Sequence, residues 1–110
     1  MSETVVGEQG RAVRALLAMT EHFPDLPSAE LVVDQISDGG PSACGVVVHV
    51  HHAGAFERWR QALALDPAAD PVVHDHPTFM AVRLRGHFAG VPVHLVGYLP
   101  NSQPAAPVAA

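Results

Sequence analysis

Apolar and polar residues alternate along Thr78 to Gly86 and again along Val91 to Leu99, on either side of the dipeptide Ala89-Gly90. That period of two predicts a β-hairpin. Folding the arms together about the dipeptide sets Val82 opposite Gly97, Leu84 opposite Leu95 and Gly86 opposite Val93 on one face. On the reverse face Arg83 opposes Val96 and Arg85 opposes His94. One face therefore builds a core and the other displays Arg and His. Pro92 has no amide proton to donate, so the last strand is expected to run at a sheet edge near that residue.

Upstream the period changes. From Gly10 to Phe23 the apolar residues Val13, Leu16, Leu17 and Phe23 make one helical stripe, which Pro24 and Pro27 terminate. Glu30 to Ile36 is rich in Val and Ile and reads as a strand, followed by the turn sequence Ser37-Asp38-Gly39-Gly40-Pro41-Ser42. Cys44 to His51 is a second strand pairing antiparallel with the first. Its run Val46-Val47-Val48 predicts a place inside the sheet. Gly54 ends the strand pattern. Ala55 to Leu65 then predicts a helix with Phe56, Trp59 and Leu63 on one face, stopped by Asp66-Pro67. Residues 72–77 fit a short edge strand or a loop equally well.

The order α-β-β-α-β-β predicts an α+β two-layer sandwich. It has a four-stranded, mainly antiparallel sheet with both helices on one face. Residues 1–9 read as a flexible lead-in, 10–99 as the single domain, and 100–110 as a disordered Pro/Ala-rich tail. The expected core is Val13, Leu16, Leu17, Ile36, Val46, Val48, Phe56, Trp59, Leu63, Val82, Leu84, Val93 and Leu95.

Composition narrows the class. Of the 110 residues 48% are hydrophobic, enough for one core, but aromatics are only 5%, so Val, Leu and Ala must fill it. The single cysteine, Cys44, excludes an intrachain disulfide and a multi-cysteine zinc site, and at the start of a Val-rich strand it is expected to be buried and inert. No apolar run approaches the roughly 20 residues that span a bilayer. The polar, acidic N-terminus is unlike a secretory leader. The expectation is a cytoplasmic protein without a membrane partner. Net charge is −5, and it is unevenly placed. Residues 1–38 hold two Arg and seven acids; residues 39–110 hold four Arg, four acids and seven of the eight His. Charging every His would turn −5 into +3.

Those histidines are the first candidate chemistry. His49 and His51 share a strand face, as do His74 and His76 around Asp75. Two imidazoles at that spacing can converge on zinc with a third ligand, and Asp75 could orient one of them. The competing expectation is a solvated sheet face that uses His as a half-polar strand residue. No Walker loop, dinucleotide fingerprint, nucleophile elbow or EF-hand loop occurs, so catalysis is not expected.

The second candidate is the polar face of the hairpin, with Arg83, Arg85, His87, His94 and Tyr98. A patch mixing Arg, Tyr and Val resembles interface composition. Nucleic acid is not the expected partner, because there is no Lys, net charge is negative, and on this face only Tyr98 is interleaved with the two Arg. The resulting expectation is a small non-enzymatic protein-binding module, a regulator, inhibitor or accessory subunit. Its open face would take a protein partner or a second copy as a homodimer. The alternative is a His-cluster divalent-metal protein, and behind it a small enzyme of unspecified reaction.

Overall fold

The hairpin forms in the register that its alternation dictates. In a computed structural model that describes residues 5–37, 39–66 and 71–100, β4 (Phe79–Phe88) pairs antiparallel with β5 (Val91–Pro100). Leu84 lies opposite Leu95, Arg85 opposite His94 and Val82 opposite Gly97. The turn residues Ala89 and Gly90 both have positive φ, 52° and 81°. That backbone matches the right-handed twist of the flanking strands.

Around the hairpin the chain adds a single 3-10 turn (Val6–Gln9), α1 (Gly10–His22), β1 (Glu30–Ile36), β2 (Ala43–Val50), α2 (Ala53–Ala62) and β3 (Val72–Asp75). Residues 72–75 are thus a strand, and residues 6–9 of the expected lead-in are helical. Gly54 sits in the first turn of α2 rather than ahead of it. The expected tail, apart from Pro100 at the end of β5, lies outside the described residues.

The class is α+β, but the sheet is larger and less uniform than alternation predicts. It has five strands in the order β1-β2-β5-β4-β3. β1 and β2 pair antiparallel, as do β3 with β4 and β4 with β5, while β2 and β5 run parallel. The sheet is therefore mixed, and β5 lies at its centre instead of at an edge. Pro92 is tolerated there for a specific reason. Phe88 and Val91 flank the two-residue turn as a hydrogen-bonded pair, so the next pair, His87 and Pro92, needs no amide donor from Pro92. The ladder to β2 begins only at Val93, opposite Val46.

Both helices cover one face. Val46, Val48, Val50, Leu84, Val91, Val93 and Leu95 from the sheet meet Ala12, Ala15 and Met19 of α1, and Trp59 of α2 with Leu63 and Leu65 beyond it. The face of α1 that packs differs from expectation. Val13 and Leu17 are 52% and 54% exposed, Leu16 is half-buried, and the small residues Ala12 and Ala15 touch the sheet. Alanines let the helix axis approach closely, and Met19 fills the space at its C-terminal end. Val82 and Phe56 are half-buried, and Ile36 is buried on the opposite face. Phe56 lies over Gly97, where a Cβ would overlap its ring.

The Trp59 indole N–H donates to the Pro27 carbonyl at 2.8 Å, and Arg58 Nη2 donates to the Asp25 carbonyl at 2.9 Å. Two side chains of α2 thus tie down the loop between α1 and β1. Also on α2, Arg60 bonds the Glu57 carboxylate. That hydrogen bond holds Glu57 below the usual carboxylate range and raises Arg60 in turn.

Candidate functional site

The face of the sheet away from the helices carries the unusual chemistry. Successive side chains of a strand point to opposite faces, so the strand registers fix its layout. Across the sheet, Glu30, His49, Val96, Arg83 and Val72 form one row. The next row toward the hairpin turn is Val32, Val47, His94 and Arg85. A third is Asp34, Gly45, Pro92 and His87. In the other direction Tyr98, Ala81 and His74 align, with His51 beside Tyr98.

Among the described residues no helix packs on this face, yet several of its aliphatic residues are shielded. Ile36, Val47 and Val96 are at most 6% exposed, with Val32 and Tyr98 packed against them. Ile36 lies over Gly45, whose missing side chain leaves room for it and for Pro92. Val47 and Val96 are thus buried on the side of the sheet away from the helices.

Two groups of polar side chains form the cover. In the first, His94 is a buried polar residue, 7% exposed, and Arg83 Nη1 lies 2.7 Å from its Nδ1. A guanidinium can only donate, so Nδ1 is the acceptor in this contact. In the second, the Tyr98 hydroxyl is 3.0 Å from His49 Nδ1, and the Tyr98 ring stacks with His51 at 5.1 Å and with His49 at 5.7 Å between centroids. Phe79 meets Tyr98 edge-on at 6.2 Å, and His76 stacks on Phe79 at 4.3 Å. This belt of five rings crosses the sheet from β2 to the β3–β4 turn. A shallow groove of about 390 Å³ runs beside it, lined by His51, Phe79, Tyr98, Leu99 and Pro100.

The expected interface residues Arg83, Arg85, His94 and Tyr98 thus share one face, with His87 on the same face near the turn. His76 and Phe79 join them, and neither was an expected member of the interface. For Phe79 the signal was present in the sequence, because counting back by twos from Arg85 through Arg83 and Ala81 reaches it. Phe79 also gives this face a second aromatic beside the two Arg, where Tyr98 alone was expected.

The four candidate metal ligands do not converge. His49 and His51 belong to β2, His74 and His76 to β3 and the turn after it, and β5 and β4 stand between them. Three strand spacings separate the pairs, about 14 Å. Asp75 pairs with Met80, so it faces the helix side while His74 faces away. Among the described residues no group of three or more His, Cys, Asp or Glu is placed to hold a metal ion. Cys44 is half-buried on the helix side, and Gln35 donates to its sulfur at 3.1 Å. Beside it a polar cleft of about 580 Å³ gathers Arg11 and Arg14 at the start of α1, a grouping that the sequence pattern does not disclose. Among the described residues no helix is long and apolar enough to cross a membrane.

No protein family, no curated protein and no solved structure matches the chain.

Proposed function

We propose that the chain is a protein-binding module, a regulator, inhibitor or accessory subunit, acting by association rather than catalysis. Its open sheet face receives an acidic protein surface. The observation that carries this reading is the make-up of the layer on that face. On β4 and β5 it presents Arg83, Arg85, His87, His94 and Tyr98, with no acidic residue among them. Arg and Tyr are the side chains most often central to protein interfaces. Part of this layer is already held in place by the Arg83–His94 and Tyr98–His49 contacts. Less side-chain freedom then remains to be lost on binding.

The test is a double substitution, Arg85→Glu with Tyr98→Ala. Wild type and variant are used as baits, the partner is identified by mass spectrometry, and the complex is rebuilt from purified proteins. A central Arg or Tyr contributes about 2 kcal/mol, so the variant should lose at least tenfold in affinity, with its melting curve recorded to show that it is folded at the temperature of the assay. Equal affinity of two folded proteins would mean that the face is only solvated.

A further inference from the structure

The chain itself carries an acidic column that matches this face. On β1 the residues pointing away from the helices are Glu30, Val32, Asp34 and Ile36, and both acids are exposed. Three strands further across the same surface, β4 presents Arg83, Arg85 and His87. Negative and positive columns thus flank the two middle strands, β2 and β5. The strand order thus brings two acids from before residue 39 and two Arg from after it to opposite sides of one surface.

We propose that the partner of the open face is a second copy of the chain, packed face to face about a two-fold axis that runs along the strands between β2 and β5. Glu30 and Asp34 of each copy then meet Arg83, Arg85 and His87 of the other. This proposal rests on the binding role of the open face and names its occupant.

Charge selects the axis. A two-fold axis in the interface plane but across the strands lays each strand over its own copy. The Arg83, Arg85 and His87 column would then lie over the same column of the other copy, and the Glu30 and Asp34 column over its own counterpart, an arrangement that repels. An axis along the strands reverses the strand order instead. Centred between β2 and β5, it places β1 over the other copy's β4 and β2 over its β5. Row by row, Glu30 meets Arg83, Asp34 meets His87, and Arg85 falls between the two acids. In the middle, Gly45 faces Pro92, and His51 faces Tyr98 ring to ring. Sheets stacked this way sit about 10 Å apart and are turned by about 30°, which long Arg and Glu side chains can bridge.

The interface is small. Four strands at about 4.8 Å and seven residues at about 3.3 Å give a footprint near 440 Å² per copy. That belongs to weak, reversible complexes. The aliphatic residues in the middle are already shielded, so rings and charges supply most of the contact, and association should weaken as salt rises.

The test is a charge exchange read by analytical ultracentrifugation at low salt and several hundred micromolar protein. Wild type should dimerise. Glu30→Arg with Asp34→Arg should be monomeric, because both columns of each copy are then positive. Arg83→Glu with Arg85→Glu should be monomeric for the opposite reason. Mixed in equal amounts, the two variants should form a dimer of one with the other, since each column again meets its opposite. Arg83 also bonds His94, so if the second variant does not fold, Arg85→Glu with His87→Glu takes its place. Monomeric wild type, variants that still self-associate, or folded variants that do not pair on mixing would each overturn the proposal. Monomeric wild type whose capture of another protein is lost on Arg85→Glu with Tyr98→Ala would overturn the self-pairing alone. Loss of neither association nor capture would overturn the role of the face as well.

Discussion

At the scale of single residues, Gly45 is the position with least freedom. It lies on the face away from the helices, where β2 approaches β5 at Pro92, and a Cβ there would overlap the Pro92 carbonyl oxygen. The obstacle is backbone, which cannot swing aside as a side chain can. Gly45→Ala should therefore push the two strands apart and cost about 1–3 kcal/mol or more in urea denaturation. Gly40→Ala, in the β1–β2 turn with nothing within 4 Å, is the control and should stay within about 0.5 kcal/mol. Gly86 and Gly97 differ from Gly45, because a Cβ there meets the side chains of Leu65 and Phe56, which can rotate.

At the scale of elements, α1 shows what periodicity can and cannot disclose. Its existence and near-complete extent follow from the apolar spacing and from Pro24. Its inward face does not, because the stripe drawn through Val13, Leu16 and Leu17 passes over the alanines beside them. The sheet instead takes Ala12 and Ala15, which allow close approach, and Met19. Met19→Ala should cost about 2–5 kcal/mol and Leu17→Ala less than about 0.5, measured as paired denaturant midpoints. Reversed magnitudes would put the larger residues inward after all. The hairpin is the opposite case. Its register was legible throughout, since a two-residue turn and strict alternation leave one pairing that keeps the apolar residues together. β3 was not, because four residues with only one partner strand carry little pattern of their own. With β3 unplaced, the stacking of His76 on Phe79 at the β3–β4 turn could not be foreseen.

At the scale of the whole molecule, the parallel pairing of β2 with β5 is the feature that local pattern leaves open. Val46-Val47-Val48 announces a buried strand, but its second neighbour comes from residues 93–97, beyond α2, β3 and β4. The Arg/His face was legible from the hairpin alone. Its acidic counterpart on β1 was not, because joining the two sides depends on that same pairing. Contacts so distant in sequence form late, after nearby ones have closed. Val48→Ala, in the β2–β5 seam, should mainly speed unfolding, whereas Leu84→Ala, in the hairpin, should mainly slow folding, as read from stopped-flow rates. The order of assembly then has a consequence during synthesis. β5 is the last described element to emerge from the ribosome, yet it belongs in the middle of the sheet. Until it arrives, the β1–β2 pair waits with a valine-rich edge open on the side that β5 will occupy. A nascent chain halted before Val91 would lack its keystone rather than its rim, and its bare edge would invite other chains to take the vacant place.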